Sequence, residues 1–313
     1  MNRNPWIEAM RLRTLPVSAS GVVIAVALAY YKSGSELRVV PAMLCLVFAL
    51  LAQVVSNFAN EYYDYVAGID KKGREGFRRG VTEGDITPGA LKRATYGTLA
   101  VACAVGCGLI PYGGWWLIPV GLIIALGALA YSTGPYPLSR HGFGELAVFI
   151  FYGLIPVNFT YYLTSGRWDA LAVLASIAIG LMGVNVLLVN NIRDEGDDRE
   201  AGKRTSVVIF GRRPALMAYA LNGVSAMAFL TPIWLSLAFV LFINNQASTP
   251  FSLRVVKAAA VFLPAFIYLI MHTATTLRLK RGTGHELNPV LGATARNMLI
   301  FTLLFALLLI LAI

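Results

Sequence analysis

Two long apolar runs of the chain end in the same pattern of oxygen-bearing side chains. The first ends Asn60-Glu61-Tyr62-Tyr63-Asp64, followed by Gly68 and Asp70. The second ends Asn190-Asn191-Ile192-Arg193-Asp194, followed by Asp198. In each, an Asn precedes an Asp by four residues, so the pair shares one helix face a turn apart. Carboxylate and amide oxygens are hard ligands suited to Mg²⁺, which also takes phosphate oxygens and water. Neither cluster contains His or Cys, which argues against zinc or copper. Arg79, Arg193, Lys203 and Arg204 lie close by in the sequence and suit the oxygens of a diphosphate. Acids, a divalent cation and bases together describe a site for a diphosphate-bearing substrate.

The elements that must position these residues follow from composition. The chain has 313 residues, of which 57% are hydrophobic and only 13% charged. An ordinary soluble domain is about 25% charged. A membrane-crossing helix needs about 20 apolar residues, which leaves room for roughly nine spans. That much apolar surface excludes a soluble enzyme and a secreted disulfide scaffold. Apolar runs fall at 14–32, 39–63, 94–112, 114–133, 144–164, 168–192, 214–243, 255–277 and 293–313. Each reads as a helix, because lone strands cannot satisfy their backbone groups in lipid. The expectation is one polytopic domain over 1–313, an all-α bundle of nine membrane helices. Run 214–243 is long and holds Pro232, so it reads as one kinked helix or as a helix plus a re-entrant piece. Cys45, Cys103 and Cys107 lie in apolar runs without metal-ligand spacing and read as small packing residues. Arg3, Arg11 and Arg13 come before a run of full span length, read as a first span and not as a signal core.

Charge orients the spans. With nine of them, 21 of the 26 basic residues fall before the first span or in the even-numbered connections. The positive-inside rule then makes that face and the N-terminus cytoplasmic, with Ile313 on the far side. Thirteen of the 16 carboxylates lie on the same face after the first span, most of them at the ends of spans 2 and 6. Those two spans run in the same direction, so both acid sets arrive at one depth, as a parallel duplication would place them. Acids at membrane helix ends mark function by default. A proton-coupled transporter would place lone acids mid-span, and no run carries one. Of the histidines, His141 and His285 lie in loops and His272 late in span 8.

Asn60-x3-Asp64-x3-Gly68-x-Asp70 and Asn191-x-Arg193-Asp194-x3-Asp198-x3-Gly202-Lys203-x-Thr205 resemble the two aspartate-rich motifs of the UbiA superfamily of intramembrane aromatic prenyltransferases. Further matches are Arg11-x-x-Thr14-Leu15-Pro16, Arg79-Gly80 and the stretch from Tyr131 to Gly134. The motif endings look like the 1,4-dihydroxy-2-naphthoate branch, which makes menaquinone precursors. Glu61 and Glu145 stand where many members carry Asp.

The resemblance implies a nine-helix bundle around a central cavity capped by two cytoplasmic loops, in the plasma membrane of a bacterium. The implied reaction joins a polyprenyl diphosphate to 1,4-dihydroxy-2-naphthoate, with loss of CO₂ and diphosphate, giving demethylmenaquinone. The alternatives are another aromatic acceptor such as 4-hydroxybenzoate, or a transporter of an anionic or lipid-linked solute. The expected partners are these two substrates and the bilayer, with no nucleic acid. Asn60, Asp64, Asp70, Asp194 and Asp198 are the expected Mg²⁺ ligands, and Arg79, Arg140, Arg193 and Lys203 the diphosphate contacts. The expected acceptor contacts are Arg11, Asn57 and Asn190. Asp64, Asp194, Asp198, Lys203 and Tyr131 carry the catalytic expectation. Tyr131, with Tyr62 and Tyr63, suits an allylic cation, and the interfacial aromatic belt is the competing reading of all three.

Overall fold

The computed structural model describes residues 4–243 and 250–312. Arg3 and Ile313, both part of the topology reading, lie outside the described residues. Among the described residues there are nine long helices: α1 Leu15–Ser33, α2 Val39–Val66, α3 Pro88–Cys107, α4 Leu117–Ala130, α5 Gly144–Ser165, α6 Ala170–Arg193, α7 Arg212–Ile243, α8 Phe251–Arg281 and α9 Asn288–Leu311. Eight of these, counted with their short flanking turns, are long and apolar enough to cross a membrane. The exception is α4, at 14 residues. The chain is a multi-pass helical membrane protein. Each expected apolar run overlaps one of the nine helices, and 214–243 lies within a single continuous helix of 32 residues with Pro232 inside it. A re-entrant piece is therefore excluded there.

Helix α6 is the axis of the bundle, packing on α1, α5, α7 and α9. Ile24, Leu28, Ile179, Met182, Leu230, Phe301 and Phe305, all buried, form this core. On the other side α2 packs against α1, α3, α4 and α5. The space between the two groups of helices is the cavity described below.

One local irregularity shapes that space. Residues Phe149–Leu154 of α5 wind as a π-helix just before Pro156. Proline has no N–H to give the Tyr152 carbonyl, so the regular ladder is interrupted there. The π turn brings Gly153 against α6, where a Cβ would lie 2.4 Å from the Gly180 Cα and 2.7 Å from the Ser176 carbonyl oxygen. Backbone cannot yield as a side chain can. Gly153→Ala is therefore expected to cost about 1–3 kcal/mol, read as a lower thermal unfolding midpoint of the purified protein. Gly97→Ala, where a Cβ meets nothing within 4 Å, is the control. Equal midpoints for the two variants would contradict this packing.

Candidate active site

The cavity measures ≈ 470 Å³. It runs from the ends of α2 and α6, where the acids lie, down between α3, α4 and α5. Its deep part is lined by apolar residues such as Val22, Leu109, Leu117, Phe159 and Leu163. Its mouth is lined by Arg11, Asn60, Arg74, Arg79, Asp194, Asp198 and Lys203. A slot with a charged mouth and an apolar depth fits a ligand with an anionic head and a long hydrocarbon tail.

The polar wall of the cavity comes from α2. Gln53, Ser56, Asn57 and Asn60 all line it, and Asp64 continues the same i, i+3, i+4 stripe to the helix end. Ser18 Oγ donates to Gln53 Oε1 at 2.5 Å, and Gln53 Nε2 donates to the Thr14 carbonyl at 2.8 Å. Asn57 Nδ2 donates to the Met10 carbonyl at 2.9 Å, which ties the N-terminal segment to the mouth. That segment turns sharply at Arg11, whose φ of 51° is the only positive value outside glycine among the described residues. A left-handed arginine costs about 1–2 kcal/mol. Here it carries the guanidinium to Asn60 Oδ1, 2.6 Å away.

The acids are neutralised one by one. Asp64, fully buried, accepts from Arg140 Nη2 and from Lys203 Nζ, each at 3.0 Å. The Lys203 ammonium also stands 3.7 Å from Asp198 Oδ1, so one cation joins the two motifs. Arg74 joins them again, donating to Asp70 at 2.5 Å and to Asp194 at 2.9 Å. Arg193 grips both oxygens of Asp194 at 2.7 and 2.8 Å and also donates to Asn190 and Asn288. Away from the mouth, the Glu75 amide donates to Asp197 at 2.8 Å, which fastens the first loop to the second.

The fields follow this pairing. Burial opposes the Lys203 charge, but Asp64 and Asp198 outweigh it and hold its pKa above the usual value. Burial opposes the Arg74 charge too, and Asp194 and Asp70 outweigh it. At Asp194 burial is overcome by the Arg193 hydrogen bond and charge, so the carboxyl sits below its ordinary range. At Asp70 burial wins and raises it. Asp198 is pushed up to about 6, chiefly by burial, with Lys203 pulling the other way.

These contacts sort the expected residues. Asp64, Asp70, Asp194, Asp198, Lys203, Arg79, Asn60, Asn57, Asn190, Arg11 and Tyr131 all come to one end of one cavity or its immediate rim. The expected five-ligand set is not assembled as such. Among the described residues no three carboxylate, imidazole or thiol groups are grouped to hold one ion. Asn60 and Asp70 instead face arginines. Asp64 and Asp198, sharing one ammonium, are the pair whose chemistry fits Mg²⁺, which usually takes one or two carboxylates plus phosphate oxygens and water.

Arg193 is consumed in holding Asp194 and lies over the Phe77 ring, 5.1 Å from its centroid, outside the cavity lining. Arg140 also lies behind the lining, braced on the Tyr63 and Ser132 carbonyls. Tyr62 and Tyr63 point away from the cavity: Tyr62 packs on the cluster around Phe58, and the Tyr63 hydroxyl meets that of Tyr96 at 2.6 Å. Tyr152 and Phe151, delivered by the π turn of α5, line the cavity in their place.

Arg74 and Glu145 were missed as site residues. For Arg74 a signal was present, four residues after Asp70. Arg74 Nε and Arg79 Nη1 are buried donors with no hydrogen bond among the described residues, and both side chains line the mouth. Unused buried donors at the mouth of a cavity suit a polyanion.

Fold and site together describe a membrane-embedded cavity suited to a ligand with a charged head and an apolar tail. The chain belongs to the UbiA prenyltransferase family, whose model matches residues 19–266. It is 36% identical over 212 residues to a 1,4-dihydroxy-2-naphthoate octaprenyltransferase of Escherichia coli, covering 66% of this chain and 68% of that one. It is 34% identical to the protein of the same name from Mycobacterium tuberculosis, over 96% of this chain and 95% of that one. Among solved structures, a UbiA homolog from Archaeoglobus fulgidus shares the fold with a TM-score of 0.64 at 14% identity, covering 99% of both chains.

Proposed function

We propose that the protein transfers a polyprenyl group from its diphosphate to 1,4-dihydroxy-2-naphthoate, with release of diphosphate and CO₂. The observation that carries the diphosphate half is the mouth itself: Arg74 and Arg79 hold unused buried donors above a ≈ 470 Å³ apolar slot. The naphthoate half rests on relatives at 34–36% identity that carry that substrate in their names. The Archaeoglobus homolog was solved with DMAPP and Mg²⁺, and again with GPP and Mg²⁺.

In this reading Asp64 and Asp198 hold Mg²⁺, with Asp194 keeping Arg74 in place beside them. The bound cation would supply Lewis-acid stabilisation to the departing diphosphate. Arg74, Arg79 and Lys203 receive the charge that develops on the leaving oxygens. Tyr131 and Tyr152 border the cavity where the allylic carbon would lie and offer ring faces to its positive charge. The apolar lining keeps water from that cation. Arg11, beside Asn57 and Asn190, meets the acceptor carboxylate. The transfer leaves the acceptor as a hydroquinone, and two-electron oxidation elsewhere gives demethylmenaquinone. The basic face is read as cytoplasmic because the nine-span reading puts 21 of the 26 basic residues on it, and a bacterial plasma membrane follows the bacterial sources of the relatives.

Release of diphosphate that requires both Mg²⁺ and the aromatic acceptor tests this reading. Release by the purified protein without either would overturn it. The raised Asp198 carboxyl gives the metal a pH signature, because a proton competes with the metal once pH falls to its pKa of about 6. Mg²⁺ affinity in the presence of an unreactive diphosphate analogue is expected to be nearly flat above about pH 7 and to fall about tenfold per unit below about pH 6. Titration calorimetry at several pH values checks it, and constant affinity from about pH 5 to 7 would contradict the assignment of Asp198.

A further inference from the structure

Glu145 sets itself apart from every other acid near the mouth. Glu61, Asp64, Asp70, Asp194 and Asp198 each have a cationic partner. Glu145 lines the same cavity, and no ion pair is seen for it among the described residues. One of its oxygens, Oε1, accepts from Asn191 Nδ2 at 2.9 Å and from Ser206 Oγ. The other, Oε2, is buried with no hydrogen-bond partner among the described residues. Three bordering groups fix where the side chain stands: Gly144 before it, the Tyr131 hydroxyl near Gly144, and Asn191 across on α6.

An unpaired buried carboxylate oxygen is costly, and it asks for a donor. The donor cannot be the diphosphate, which is an anion. A metal would ask for a second carboxylate beside it, and the groups that meet Glu145 are the Asn191 amide and the Ser206 hydroxyl. What remains suitable is a neutral O–H donor on a ligand in the cavity. Resting on the proposed prenyl transfer, we infer that Glu145 Oε2 accepts a ring hydroxyl of the aromatic acceptor and serves as its general base.

The step balances as follows. The hydroxyl proton passes to Glu145 Oε2, and the O–H electron pair moves into the ring. The carboxylate-bearing ring carbon forms a bond to the allylic carbon, while the C–O bond to diphosphate breaks and its pair leaves on diphosphate. The bond to the carboxylate then breaks, CO₂ departs, and its electron pair restores the aromatic ring and the phenolate. That oxygen takes the proton back from Glu145. No oxidant enters.

The test is a substrate–enzyme cycle with Glu145→Gln, which preserves the shape and the oxygen facing Asn191 and Ser206. Wild type and variant are each assayed with 1,4-dihydroxy-2-naphthoate, 1-hydroxy-2-naphthoate and 4-hydroxy-2-naphthoate. Removing a hydroxyl lowers ring reactivity equally in both enzymes, so only the contact produces coupling. The expected result is that Glu145→Gln cuts kcat/KM at least 100-fold with the full acceptor. Loss of one particular hydroxyl should cost the variant about 10- to 100-fold less than wild type. Binding of Mg²⁺ with an unreactive diphosphate analogue should be unchanged in the variant. Additive losses for both hydroxyls, or a variant as fast as wild type, would overturn the inference. Should Glu145→Gln not fold, the same cycle is read on Glu145→Asp, which withdraws the carboxylate by one methylene. Wild type inactive with every acceptor would instead sink the prenyl-transfer reading itself.

Discussion

Asp198→Asn is expected to lower prenyl transfer by at least 10²-fold while leaving the bundle folded. Burial pushes the Asp198 carboxyl up to about 6. The site thus already favours the neutral form of this carboxyl, which the amide imitates in shape and charge. The fold therefore tolerates the change, whereas the metal seat loses one of its two carboxylates. The variant should keep its thermal midpoint, lose Mg²⁺ affinity, and show slow turnover that added Mg²⁺ partly restores. Normal turnover at low Mg²⁺ would remove Asp198 from the site.

Lys203→Ala is expected to be at least as damaging, by about 10²–10³-fold in kcat. Lys203 is buried, 3.0 Å from Asp64 and 3.7 Å from Asp198, and lines the mouth. Its loss removes the donor proposed for the leaving diphosphate and the cation nearest to Asp198. Lys71, in the other loop, is exposed and pairs with Glu200, itself exposed, at 3.8 Å. Lys71→Ala should leave turnover within about twofold of wild type, because exposed pairs contribute little. Steady-state assays on the two variants make the comparison, and equal effects would show that the cations of the mouth are not distinguished from those of the surface.

Much of this was legible in the amino-acid order because membrane helices declare themselves. Each apolar run became a helix, and Asn60, Asp64, Asp194 and Asp198 came together because they end two parallel helices. The errors have local causes. Tyr62 and Tyr63 sit beside Asp64 in the chain, but a 3.6-residue period turns them onto α3 and the Phe58 cluster. Tyr152 was invisible because the π turn at Phe149–Leu154 shifts the helical phase that a sequence pattern assumes. Arg193 reads as a diphosphate contact in the sequence, yet its guanidinium is taken up by its own neighbour Asp194 and by Asn190, each at 2.7 Å. Charges near an acid motif do not say which of them stay free for a ligand. The polar stripe Gln53, Ser56, Asn57, Asn60 and Asp64 was readable as helical spacing, although only its last members stood out as chemistry.

The central claim is tested most directly by product analysis on the purified protein. With a polyprenyl diphosphate, Mg²⁺ and 1,4-dihydroxy-2-naphthoate labelled at its carboxyl, the account predicts one molecule of labelled CO₂ per prenylated naphthohydroquinone. The same protein should give no comparable product with 4-hydroxybenzoate. A prenylated product that retains the label, or a preference for 4-hydroxybenzoate, would contradict it.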